Sequence, residues 1–355
     1  MTKTVFILVP SPHPTGPIKG AYALANALAP LRRVILVFLK DGPGANASLH
    51  QRVEVRSLAR TDGGWLCRLA AYRQLLEDAG GRQCVISISM CLSADWINRF
   101  CRGQSITCAS VRGNLPQNYR FDYGWLGVPL ALAHLLTLRS FDHVVAMTHS
   151  MAKQLRLLAF LRPRVIGNFV DETTLERHRR TGITLGPLRF VFVGSLSVRK
   201  QPELLIAAIE KLRDQNAQLD ILGDGPLREE LRSLVDSLGL ESHVRLHGQI
   251  SDPCAIVAAA DAFVLPSRSE GVSRAALEAL YLGVPCVLRD VDGNADLLAV
   301  PASGALFERD EDLATAMLKV ARFSRVRSDK GSLLPPAFRQ LAAARQYLSL
   351  LEHSP

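Results

Sequence analysis

The stretch Pro266 to Pro285, PSRSEGVSRAALEALYLGVP, ends a strand, turns through a glycine and opens a helix, with Glu270 and Glu278 eight residues apart across the junction. Ala262-Phe-Val-Leu265 just before it is short and wholly apolar, as a strand covered on both faces should be, and Pro266 with Ser267 breaks it. After Gly271 the composition turns to Ala, Leu and Glu, which predicts a helix running until Gly283-Val-Pro285. Glu270 then stands before the first turn and Glu278 inside the helix, with roughly 9 Å of rise between Val272 and Glu278. The amides of Gly271, Val272 and Ser273 are expected to open the helix as donors at its positive end, where an anionic or oxygen-rich ligand is favoured. Taken alone, Glu278 is better explained as a solvated helix residue, and the Glu270-Gly271 pair just after a strand is what narrows the choice.

Working outward, apolar runs at 4–9, 34–38, 84–89, 105–109 and 143–147 alternate with helical or loop segments, the pattern of parallel strands joined by crossover helices. A helix at 21–31 is expected to be entered through the glycine-bearing loop Gly16-Pro-Ile-Lys-Gly20. The polar stretch 171–187, which contains DETTLERHRR and two glycines, reads as a linker. The alternation then restarts, with strands at 188–193, 218–222, 244–246 and 262–265 and helices at 202–213, 226–238 and 254–260. At 355 residues the chain suits two cores better than one. The expected division is 1–170 and 188–335.

Several further segments fall in a recognisable order: Phe190-Val-Phe-Val-Gly194 with Arg199-Lys200, Ile221-Leu-Gly-Asp-Gly-Pro226, His247-Gly248, and Ala260 to Ser267. With Glu270 and Glu278 at the two positions of an E-x7-E motif, the chain resembles family 4 of the retaining glycosyltransferases, of the glycosyltransferase group 1 type. The resemblance is strong over about residues 188–300. It implies the α/β GT-B fold: two doubly wound Rossmann-like domains facing a central cleft, with a last helix at 336–355 packing back on the first domain.

The same resemblance implies a hexosyl- or N-acetylhexosaminyltransferase that works without a metal or cofactor on a nucleotide-sugar donor, a uridine one by preference. Transfer leaves negative charge on the departing diphosphate, and Arg199 and Lys200, at the carboxyl edge of the strand ending at Gly194, are the cations expected to meet it. Glu270 is expected to contact hydroxyls of the transferred sugar and Glu278 both ribose hydroxyls, a geometry suited to a carboxylate. Gly16, Gly194, Gly223, Gly225, Gly248, Gly271, Val272 and Ser273 complete the expected donor site. Arg112, Asn114 and His134 are the acceptor-side candidates. Ser195 and Gln201 depart from the family's usual arginine and glycine, so Arg199 is the residue placed to supply the missing guanidinium.

Bulk properties narrow the partners less sharply. The formal charge of +9 admits nucleic acid, anionic lipid and anionic substrates. Basic residues at Lys153, Arg156, Arg162 and Arg164, interleaved with Leu155, Leu157, Leu158, Phe160 and Leu161, favour a membrane surface over nucleic acid. The longest apolar stretch, 126–138, is interrupted by Pro129 and His134 and falls short of the ~20 residues a spanning helix requires. Seven cysteines without a C-x-x-C pair suggest buried free thiols in a reducing compartment. The expected setting is cytoplasmic, peripheral on the inner face of the inner membrane, with a glycan or polyprenyl-diphosphate-linked acceptor of cell-surface polysaccharide synthesis. A nucleotide-sugar epimerase of the same fold, or a non-catalytic basic binding protein, are the competing readings.

Overall fold

The computed structural model describes residues 3–13, 15–42, 49–59, 64–179, 186–291, 293–327, 329 and 331–352. The chain forms two compact units, one of Met1–Asp171 with Ala337–Pro355 and one of Glu172–Pro336.

The first unit carries a seven-stranded sheet: β1 Thr4–Val9, β2 Val34–Phe38, β3 Val53–Ser57, β4 Val85–Ser89, β5 Ile106–Val111, β6 His143–Ala146 and β7 Arg164–Val165. Their order is β3-β2-β1-β4-β5-β6-β7 and every pairing is parallel. The period of two along β1 explains why its apolar run is unbroken. Val5, Ile7 and Val9 enter one core with the helix Gly16–Leu28, while Phe6 and Leu8 enter another with the helix Trp65–Asp78. The last helix, Gln340–Glu352, belongs to this unit. Its Ala343, Ala344 and Tyr347 lie in the same core as Val5, and the Tyr347 hydroxyl is 2.8 Å from Ser110 Oγ.

The second unit carries six parallel strands: β8 Leu188–Val193, β9 Ala217–Leu222, β10 Val244–Gly248, β11 Ala262–Leu265, β12 Cys286–Arg289 and β13 Gly304–Phe307, ordered β10-β9-β8-β11-β12-β13. In both sheets the strand order reverses beside the first strand of the unit, between β1 and β4 and between β8 and β11. Such a switch point leaves the carboxyl ends of two neighbouring strands open to a ligand, because their crossover connections leave in opposite directions.

Three expectations are corrected. The helix after β1 begins at Gly16, so Gly16 and Gly20 lie in its first turns and not in a loop. Pro17 at the start supplies a φ already suited to helix. The helix after β11 begins at Arg274, with Ser273 as its cap, so the amides of Gly271, Val272 and Ser273 precede it. Part of the expected linker, residues 180–185, lies outside the described residues. Its first portion is no free connection: Glu172–Glu176 is helical, the Tyr281 hydroxyl donates to Glu176 Oε2 at 2.5 Å, and Arg177 pairs with Asp252 at 3.3 Å.

Candidate active site

Glu270 follows β11 and Arg199 with Lys200 follow β8. These strands are neighbours at the switch point, which brings residues 70 and 71 positions apart into contact. Lys200 Nζ donates to Glu270 Oε1, and Arg199 Nη1 donates to the same oxygen at 3.4 Å and to the Ser269 carbonyl at 2.7 Å. The loops are also tied by their backbones, Arg268 N–H donating to the Arg199 carbonyl at 2.9 Å. Glu270 is 7% exposed. Burial alone would raise its pKa, but Lys200 and then Arg199 outweigh that and hold the carboxyl below its ordinary value. The cluster thus places two basic side chains around one carboxylate at the sheet edge.

Gln201 closes this loop. Its φ of +49° is left-handed, which explains why glycine is the family's usual residue there. The glutamine is buried, and its Oε1 accepts from Arg289 Nη2 at 3.2 Å. Ser195 is exposed, with its hydroxyl 3.5 Å from that of Ser197.

In the helix Arg274–Tyr281, Glu278 forms an ion pair with Arg274 one turn back, Oε1 to Nε 3.2 Å. Ser273 Oγ accepts from the Ala276 amide at 3.3 Å and so caps the helix, with its own O–H still able to donate. From Arg274 to Glu278 the helix rises only about 6 Å.

The glycines expected to admit a nucleotide have partners inside the protein. Gly223, at φ +143°, lies so close to the end of β8 that a Cβ would stand 1.8 Å from the Gly194 carbonyl oxygen, and at Gly225 one would stand 2.4 Å from that of Leu196. At Gly248, φ +71°, it would stand 2.7 Å from an Arg228 guanidinium nitrogen. These positions knit the ends of β8, β9 and β10 together, with Gly194 N–H donating to Leu222 O at 3.0 Å and Gly223 N–H to Gly248 O at 2.8 Å.

In the first unit, Arg112 follows β5 directly. Asn114 is the cap of the helix Leu115–Tyr123, its Oδ1 accepting from Gln117 N–H at 3.3 Å and from Gln154 Nε2 at 2.9 Å. His134 is buried, with Nε2 at 2.8 Å from Asp95 Oδ2 and Nδ1 at 2.8 Å from the Tyr119 hydroxyl. With Asp95 ionised, Nε2 carries the proton and Nδ1 of a neutral ring accepts from Tyr119. Asp95 Oδ1 accepts from Ser89 Oγ at 2.6 Å. Arg112 and His134 both line a cavity of about 770 Å³ at the carboxyl edge of the first sheet. Cys91, on the same wall, has φ +79° and a thiol that burial pushes up to about 12. Asp95, Tyr119 and Arg274 were not anticipated from the sequence, although Arg274 and Glu278 stand at the i, i+4 spacing of a helical ion pair.

Two parallel sheets of this order, with a charged cluster at the switch point of the second, define the GT-B class. The chain superimposes over 99% of its length on 99% of Anabaena HepE, crystallised with UDP and glucose, at a TM-score of 0.78 and 18% identity. Residues 174–328, within the second unit, match the family model of the glycosyl transferases group 1. It is 28% identical over 214 residues to the lipopolysaccharide core biosynthesis glycosyltransferase LpsD of Rhizobium meliloti, covering 59% of each chain. It is also 32% identical over 135 residues to the UDP-Gal:alpha-D-GlcNAc-diphosphoundecaprenol alpha-1,3-galactosyltransferase of Escherichia coli, covering 37% of this chain and 35% of that one. The chain thus spans less than two thirds of the length of either of these two relatives.

Proposed function

We propose that this protein is a retaining, metal-independent glycosyltransferase that moves a hexosyl or N-acetylhexosaminyl group from a UDP-sugar to a glycan or polyprenyl-diphosphate-linked acceptor of cell-surface polysaccharide. The observation that carries the reading is the Arg199–Lys200–Glu270 cluster at the β8/β11 switch point, inside the unit that matches the family. The two relatives and the UDP complex of HepE support the donor class.

The bond between the anomeric carbon and the diphosphate oxygen breaks, and the acceptor oxygen bonds to that carbon on the same face. The acceptor's proton passes to the departing phosphate oxygen. Arg199 and Lys200 meet the charge that grows on this oxygen, and Glu270 accepts from hydroxyls of the sugar. Because Glu270 already holds both cations in place, little reorganisation remains to be done as charge develops. Glu278 accepts from the ribose hydroxyls, with Arg274 setting its orientation.

We place the protein in the cytoplasm, at an anionic membrane surface. No helix among the described residues is long and apolar enough to cross a membrane. Support for surface contact comes from Trp125 and Leu126, 82% and 79% exposed, beside the outward Val128, Leu132 and Leu136 of the helix Gly127–Leu138. Arg120 stacks on Trp125 at 5.2 Å from the ring centroid. Leu155 of the expected basic and apolar segment is buried, whereas Leu157, Leu158 and Phe160 are exposed.

The test is incubation of the purified chain with isotopically labelled UDP-sugars in the presence of chelator. Slow release of UDP with a free sugar of retained anomeric configuration supports the proposal. Release of an epimerised sugar would establish the epimerase, and neither UDP binding nor release would establish a non-catalytic binding protein.

A further inference from the structure

The cavity at the carboxyl edge of the first sheet has the side chains of Arg68, Arg112 and Asn118 in its wall. Among the buried side-chain atoms without a hydrogen-bond partner, three belong to its wall: Nε of Arg68, Nε of Arg112 and Oδ1 of Asn118. Polar atoms left unmet in this way are costly, and the three residues that carry them border one space.

Arg112 is the most informative of the three. Its Nη atoms reach the thioether sulfurs of Met90 and Met147, at 2.9 and 3.5 Å, and Asn168 Oδ1 at 3.2 Å. Neither it nor Arg68 forms an ion pair among the described residues. Asp95, on the same wall, is already engaged with Ser89 and His134. Two guanidiniums without a counter-ion favour an anion, and the planar fork suits a carboxylate or phosphate. The Asn118 amide packs on Gly113, where a Cβ would stand 2.2 Å from Nδ2, and its oxygen needs a donor such as a hydroxyl. Trp65, Trp96 and Tyr123 line the cavity with rings that are each roughly half exposed, faces suited to the C–H bonds of a pyranose. The volume falls in the range of small-molecule sites.

We infer that this cavity is a subsite for an acidic sugar, in which Arg112 and Arg68 bind a carboxylate or phosphate and Asn118 a hydroxyl. Its place in a reaction, as the site of an acidic acceptor residue, rests on the transferase reading. The binding itself does not.

The full chain is titrated with methyl glucuronide, glucose 6-phosphate and the neutral methyl glucoside, followed by calorimetry and ligand-observed NMR. At least one of the two acids is expected to bind about 10-fold or more tighter than the glucoside, and comparing them tells carboxylate from phosphate. Arg112→Gln is expected to reduce that preference to within about twofold, and Arg68→Gln, tested separately in case the first variant does not fold, to weaken it in the same direction. A glucoside that binds as tightly as both acids, or a preference that survives both substitutions, overturns the proposal. UDP is titrated into the same samples. If Arg112→Gln loses UDP while keeping the acid preference, the guanidinium serves the donor and the proposal is overturned. If the wild type binds acidic sugars but not UDP, the transferase reading falls and the acidic subsite stands.

Discussion

Glu278 Oε1 lies 3.2 Å from Nε of Arg274, one turn earlier on the same helix, so the second glutamate of the motif has a cation beside it. Removing it should be felt by the nucleotide. Glu278→Ala is expected to weaken UDP about 10-fold or more, since hydrogen bonds to a charged group contribute roughly 1.5–3 kcal/mol. Arg274→Ala, which loses only the orienting partner, should cost about twofold. Calorimetric titration of both variants checks this, and wild-type affinity in Glu278→Ala would remove the residue from the site.

Lys200 and Arg199 share one carboxylate oxygen, and they differ in exposure, Lys200 at 12% and Arg199 at 26%. Lys200→Ala is expected to lower kcat on the order of 100- to 1,000-fold while changing UDP affinity only a few-fold, because its charge is needed most as the phosphate leaves. Glu270 would keep Arg199, so the fold should survive, as a melting curve would show. Equal losses in UDP affinity and turnover would mean that Lys200 binds the ground state instead.

A sharper pH signature comes from a structural carboxylate. Asp142 is desolvated, which raises its pKa, but it accepts from Arg82, from Arg102 at 2.8 Å, and from the amide and hydroxyl of Thr107 at 2.9 Å, which bring it down to about 2. A carboxyl lowered on folding contributes stability above its unfolded value, near 4, and loses it as pH falls through the folded one. Asp142→Asn should therefore cost on the order of 2 kcal/mol at neutral pH and remove that part of the acid destabilisation between about pH 4 and 2. Denaturant unfolding at stepped pH measures it.

Gly223→Ala tests the glycine cradle. At φ +143°, with a Cβ forced to 1.8 Å from the Gly194 carbonyl, the substitution is expected to cost about 3 kcal/mol or more, and to shift the β8 loop that carries Arg199 and Lys200. Denaturant unfolding and turnover should both suffer. A stable, active variant would show that the ends of β8 and β9 separate easily.

Trp125→Ala with Leu126→Ser is expected to weaken partitioning to phosphatidylglycerol vesicles about 10-fold or more, since the two substitutions together remove up to about 4 kcal/mol of apolar burial. Neutral phosphatidylcholine vesicles should bind the wild type less well. Unchanged sedimentation would remove this surface from any membrane role.

The apolar runs determined much by themselves. β1, β2, β8 and β11 fall on the residues read as strands, because strands covered on both faces by helices must be continuously apolar, and few other local structures share that signature. β3, Val-Glu-Val-Arg-Ser, and the two-residue β7 escaped notice because they sit at sheet edges, where one side is open and charge is tolerated. Residue types at the second site were legible too, since Glu270, Arg199 and Lys200 each follow a recognisable strand. That both cations meet one oxygen was decided by the pairing of β8 with β11 across some 70 residues, a contact with no local trace. The cavity of the first unit was hidden for a further reason. Arg68 comes from a different segment than Arg112 and Asn118, and what unites the three is a space that no side chain fills, which only the packed structure defines.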